Sequence, residues 1–190
     1  MKALDFIVFL VIVAFLMFAI YTNVYRTHTE EDAKKFFQED LAYTYPDADI
    51  REIVSVKKID QNNYVLKAHV TKGFYTPCPE KIEVEYTYPI RNFLSTQTKL
   101  VGGCKVCIED KKNCYIIYPE EAIIASHTYP GTEKVAEFIK IYPKAKPSVE
   151  FLENYSNYNK VWKIEWKDES TGQKILIYIN QADNSIIKIE

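Results

Sequence analysis

Residues 160–180 read KVWKIEWKDESTGQKILIYIN, and the fold turns on this stretch. Over 162–167 apolar and charged residues alternate, which is the period of a half-buried strand. The alternation puts Trp162 and Trp166 on one face, where they suit a sheet core or a helix–sheet contact. Ser170-Thr171-Gly172 is turn chemistry, and 174–180 is a second strand. Further strand patterns at 149–154 and 185–189 lie on either side, joined by polar turns at 156–159 and 182–184. The spacing predicts an antiparallel meander.

A helix precedes it. Over 132–142, Val135, Phe138 and Ile139 share one face, and Tyr142-Pro143 ends the pattern. The same order occurs earlier in the chain. Residues 30–43, EEDAKKFFQEDLAY, place Ala33, Phe36, Phe37 and Leu41 on one side, with acidic residues in the first turn and Thr29 as N-cap. Tyr45-Pro46 stops that helix, and strand patterns follow at 50–58, 64–71 and 81–88. Tyr45-Pro46-Asp47-Ala48 recurs as Tyr142-Pro143-Lys144-Ala145, each at the end of a short helix. From 89 to 113 the pattern breaks down. A short strand at 114–118 and a helix opened by Pro119 complete the first cycle. A helix followed by an antiparallel meander, twice, is an α+β arrangement with each helix packed across its sheet. The expected units are 27–128, carrying a four-cysteine insertion, and 129–190.

The N-terminus differs from the rest. Every residue over 6–21, FIVFLVIVAFLMFAIY, is apolar. Sixteen helical residues reach about 24 Å, and their flanks extend this toward the roughly 30 Å of a bilayer core. Bulky residues stand where a signal peptidase needs small ones, and no cysteine follows for a lipid anchor. The expectation is an uncleaved transmembrane helix over 1–26. Its short N-terminal tail favours N-in, C-out, which places 27–190 outside the cytoplasm.

Cys78, Cys104, Cys107 and Cys114 carry the strongest chemical signal. They fall in the least regular part of the chain, where two disulfides would supply order in an oxidising compartment. Three pairings are open, and Cys107–Cys114 would tie the charged turn at 109–112. The rival is a zinc site at the same four cysteines. Cys104-x-x-Cys107 forms one knuckle of it, but Cys78 and Cys114 do not form a second. A redox-active Cys104/Cys107 pair lacks the βαβ context it would need. Because 129–190 contains no cysteine, reduction is expected to damage the first unit alone.

Other residues exclude more than they assign. Net charge is −2, from 24 basic and 26 acidic residues, with no basic stripe, which argues against nucleic acid. Ser126 and His127 are adjacent on a helix, point roughly 100° apart and cannot form a nucleophile–base pair with each other. His69 reads as an outward-facing strand residue, and His28 as a linker residue beside the apolar run. No Gly-x-Ser-x-Gly, His-Glu-x-x-His or phosphate loop occurs. No catalytic residue, cofactor site or enzymatic activity is expected.

The second unit resembles the PepSY pattern: the tryptophan strand 161–168, Gly172, the tyrosine strand 177–180, and Asn184-Ser185-Ile186-Ile187. Asn180 and Asn184 depart from it, standing where Asp and Gly are usual. The layout is similar to the TseB-like proteins, with one N-terminal span and two cystatin/PepSY-like units. That resemblance implies a non-enzymatic, extracellular binding or regulatory role, with another surface protein or wall enzyme as partner besides the membrane. Leu4-Asp5-Phe6 before an apolar helix is similar to archaeal type IV pilin-like proteins. This second resemblance implies the alternative of a structural subunit of a surface filament, self-assembled through residues 4–25.

Overall fold

The computed structural model describes residues 3–24, 29–60, 62–89, 95–108 and 114–190, with N-terminal side chains described for Val8 and 10–19. Lys2, Arg26, His28 and the turn at 109–112 lie outside the described residues. The apolar run forms helix α1, Ala3–Val24. Two units follow with one topology. Helix α2 (Glu30–Thr44) precedes strands β1 (Ile50–Lys58), β2 (Tyr64–Lys72), β3 (Glu80–Tyr88) and β4 (Thr96–Val101). After helix α3 (Pro119–Thr128), helix α4 (Glu133–Ile141) precedes β5 (Lys146–Tyr155), β6 (Tyr158–Lys167), β7 (Lys174–Asn180) and β8 (Ile186–Ile189). Each sheet is a four-stranded antiparallel meander in sequence order.

The expected transmembrane helix is corrected. Among the described residues no helix is long and apolar enough to cross a membrane. The single-pass anchor and the extracytoplasmic placement derived from it fall together. Two further expectations change. β4 lies inside the stretch that showed no pattern, and 114–118 is not a strand. The segment at 114–118 instead meets side chains of the second unit, and those contacts take the place of a sheet partner.

Local chemistry explains the repeated elements. Thr29 caps α2 reciprocally: its hydroxyl accepts from Asp32 N at 3.1 Å, and its own N–H donates to the Asp32 carboxylate at 3.1 Å. Ala33, Phe37 and Leu41, at i, i+4 and i+8, form the buried stripe that packs on sheet one beside Leu66, Ala68, Val70 and Val84. Both helix ends then make the same turn. Tyr45 N–H donates to Leu41 O and Ala48 N–H to Tyr45 O, while Tyr142 N–H donates to Phe138 O and Ala145 N–H to Tyr142 O. The residue before proline is forced out of the helical region, and both tyrosines comply, at φ −123° and −117°. The alanine three residues on is buried in each unit.

Helix α3 is not part of the repeat. Seven consecutive residues, 120–126, are buried, so it has no solvent face. Ala122, Ile123 and Ala125 join Trp162, Ile164, Trp166 and Ile177 in the core of the second sheet. Ile124 packs instead on Leu100 and Val101 of β4. Its first turn reaches the face of sheet one opposite α2. There Glu120 Oε1 accepts from Lys81 Nζ at 3.0 Å and from the Thr71 hydroxyl, while Oε2 has no hydrogen-bond partner. Lys81 also lies 5.2 Å from the centroid of the Tyr118 ring.

A buried pair of this kind is costly to break and cheap to replace, because removing one partner strands the other charge in low dielectric. Glu120→Ala should therefore lower unfolding stability by about 3–5 kcal/mol. Thr71→Val/Lys81→Met/Glu120→Leu should recover most of that loss. Urea denaturation of the three proteins measures both, and equal losses in the single and triple variants would contradict the buried pair.

Candidate functional site

The four cysteines stand as two pairs at disulfide distance, and none among the described residues is free. Cys78, in the loop between β2 and β3, pairs with Cys104, with Cα atoms 4.7 Å apart. Cys107 pairs with Cys114, with Cα atoms 5.3 Å apart. Cys104 and Cys107 have φ of +53° and +56°, so the chain makes two left-handed turns between the pairs.

The α3 helix pins this segment from inside. The Glu121 carboxylate accepts from Cys107 N at 3.1 Å, Ile117 N at 2.8 Å and Tyr118 N at 3.2 Å. These are backbone donors with no sheet partner, and one buried carboxylate satisfies all three. The second unit holds the other side. Trp162 Nε1 donates to Ile116 O at 3.0 Å, and Gln181 Nε2 donates to the same oxygen at 2.9 Å. Asn184 Nδ2 donates to Cys114 O. Ile116 itself is fully buried in the core of the second sheet. The cysteine segment thus joins the units, being tied to the first by Cys78–Cys104 and to the second by Ile116.

His127 ends α3 beside the first pair. Sγ of Cys78, Sγ of Cys104 and a ring nitrogen of His127 lie within 4.8 Å of one another. The His127 Nδ1 is 3.0 Å from Ile123 O, and its ring meets Trp166 edge to face at 5.9 Å. Burial pushes His127 below the usual imidazole range, against the opposing effect of the Ile123 carbonyl. Ser126 is otherwise engaged: its hydroxyl donates to Ile123 O at 2.7 Å and accepts from Trp166 Nε1 at 2.9 Å. Ser126 and His127 therefore address the same carbonyl rather than each other.

Cys107 and Cys114 lie elsewhere in the segment. Cys114 Sγ is 3.4 Å from the Tyr129 hydroxyl, and burial, followed by the charge of Glu121, raises the Tyr129 pKa. A groove of about 580 Å³ runs between 104–108 and Thr128-Tyr129. His69 stays on the outer face of sheet one, 3.5 Å from Glu83 and edge to face with Tyr118. Sequence reasoning placed all four cysteines in one segment but gave His127 no relation to them. The 22 residues between Cys104 and His127 carry no ligand spacing, and only the burial of α3 brings the two together.

The Ile116 contacts give reduction a route into the second unit, against the expectation that this unit is spared. Removing a native disulfide from a small domain costs about 2–5 kcal/mol. Cys107→Ser/Cys114→Ser should lose that much in urea denaturation. It should also alter the environment of Trp162, one of only two tryptophans. An unchanged indole NMR signal for Trp162 would show that the segment and the second core are independent.

No protein-family model, no curated protein and no solved structure matches this chain.

Proposed function

We propose that this is a non-catalytic binding protein that regulates a protein partner, and that the uncovered face of the second sheet is its contact surface. The observation that carries this reading is the state of the charges on that face. Helices α3 and α4 lie on the Trp162/Trp166 side, whereas Lys163, Glu165 and Tyr178 point the other way. Lys163 Nζ donates to Glu150 at 2.8 Å, Lys174 pairs with Glu165, and Tyr155 stacks on Tyr178 at 4.2 Å between centroids. The hydrogen bond it donates to Glu150 raises the Lys163 pKa and holds the ammonium in its charged form. Charges neutralised in pairs, on a face that also carries stacked aromatic rings, suit recognition better than proton transfer. The PepSY-like pattern supports the same class, with a peptidase or wall enzyme as partner.

A photo-crosslinking residue at Lys163 should trap a discrete adduct in cells, whereas one at the exposed Lys140 of α4 should not. The trapped protein, once purified, should change its activity when the full chain is added, and Glu150→Lys should weaken that effect at least ten-fold. Identical adducts from both positions would overturn the assignment of the face.

A second reading has its own observation. Val8, Leu10, Val11, Ile12, Phe15, Leu16, Met17 and Phe18 of α1 are each at least 51% exposed. A contiguous apolar surface of that size calls for a covering partner. A second copy of the chain would supply one in a self-assembling structural subunit. On this reading the full chain sediments as oligomers, and Phe15→Glu/Phe18→Glu returns it to monomer. A native chain that stays monomeric over a hundred-fold range of concentration would remove the reading.

A further inference from the structure

We propose that Cys78, Cys104 and His127 form a zinc site when the Cys78–Cys104 pair is reduced, so that one place in the fold is closed by a disulfide or by a metal. Three observations converge. The two sulfurs and a histidine nitrogen lie within 4.8 Å of one another. Two sulfurs on one tetrahedral zinc stand about 3.8 Å apart, from Zn–S bonds of about 2.3 Å, so the cluster needs only local adjustment. The second observation is the tautomer of His127. A carbonyl only accepts, so the 3.0 Å contact from Nδ1 to Ile123 O places the proton on Nδ1 and leaves the lone pair on Nε2. Metal-binding histidines are held in this way, by a second nitrogen that donates to a carbonyl or carboxylate. The third is access. Cys78 is exposed while Cys104 and His127 are half-buried, so an ion and a reductant both reach the sulfurs at a site whose inner side is fixed by Trp166.

The chemistry balances with a thiol as reductant. Two external thiols reduce the disulfide, giving the Cys78 and Cys104 thiols and one external disulfide. Zn²⁺ then displaces two protons from these thiols and takes the lone pair of His127 Nε2. The product is electrically neutral, with two thiolates, one imidazole and a fourth position for water. Zinc is favoured over harder cations because two of the three donors are thiolates. Cys107 and Cys114 take no part, since no histidine or carboxylate joins them in a cluster among the described residues. The consequence is structural. The disulfide ties the β2–β3 loop to the cysteine segment, and the metal would tie both to α3 as well.

The test uses the full chain, reduced with a phosphine and titrated with Co²⁺ and Zn²⁺. One Co²⁺ per chain should bind, with a thiolate-to-cobalt charge-transfer band and the intense visible absorption of a tetrahedral site, and one Zn²⁺ should displace it. Cys107→Ser/Cys114→Ser should bind equally well, and the oxidised chain should bind neither ion. Since losing only a hydrogen bond to a metal-bound histidine costs 10–100-fold, His127→Gln should weaken binding by about 100-fold or more. Unchanged affinity in His127→Gln overturns the proposal, as does loss of binding in Cys107→Ser/Cys114→Ser. If His127→Gln fails to fold, the native chain decides. Zn²⁺ must shift the His127 imidazole NMR signals while leaving those of His69 in place, and an unmoved His127 rejects the site.

Discussion

The structure depends on burying a helix that carries two carboxylates and a hydroxyl. Helix α3 has no solvent face, so each polar group on it has to be answered by protein. The answers come from different places. Glu120 meets Thr71 and Lys81 of sheet one, Glu121 collects three backbone N–H groups of the cysteine segment, and Ser126 accepts the Trp166 indole of sheet two. Apolar contacts alone would let α3 slide or rotate between its neighbours, because burial free energy is non-directional. Three directional contacts at separate points fix its register, and with it the positions of Ile124 against β4 and of His127 beside Cys78 and Cys104.

The repeat was legible because its signals are local. The proline at each helix end sets the conformation of the residue before it whatever surrounds it. The two Tyr-Pro turns accordingly share hydrogen bonds and dihedrals although the helices before them differ in length. Period two in β2 and over 162–167 of β6 was equally plain, since the residues on the helix side are buried and those between them are less so. β4 was missed for the opposite reason. Thr96–Lys99 are all exposed and only Leu100 and Val101 are buried, so no alternation is written into it. The strand is held by its backbone partners in β3.

The N-terminal run marks where sequence reading failed, and the cysteine segment where it gave part of the answer: the expected Cys107–Cys114 pair stands at disulfide distance. Composition showed that α1 is apolar, but composition is not a span, and no described helix meets the length and apolarity a bilayer requires. In the cysteine segment the residue types were right and their neighbours were invisible. Disulfide connectivity cannot be deduced from spacing, and the contact of Ile116 with Trp162 is made across 46 residues. Nothing periodic links Cys78, Cys104 and His127. Their proximity follows from three separate long-range facts: the β2–β3 register, the pairing of Cys78 with Cys104, and the burial of α3.

The same helix makes the two units of like topology unequal. Residues paired directly across an antiparallel ladder share a face, so Thr71, Lys81, His69 and Glu83 all lie opposite α2. α3 covers the Thr71–Lys81 end of that face, and Tyr118 reaches His69. The corresponding face of sheet two, with Lys163, Glu165 and Tyr178, has neither helix against it, because α3 and α4 both pack on the tryptophan side. One copy of the unit therefore spends its outer face holding the molecule together, and the other keeps its face available. This asymmetry follows from inserting a single helix between two copies of one topology.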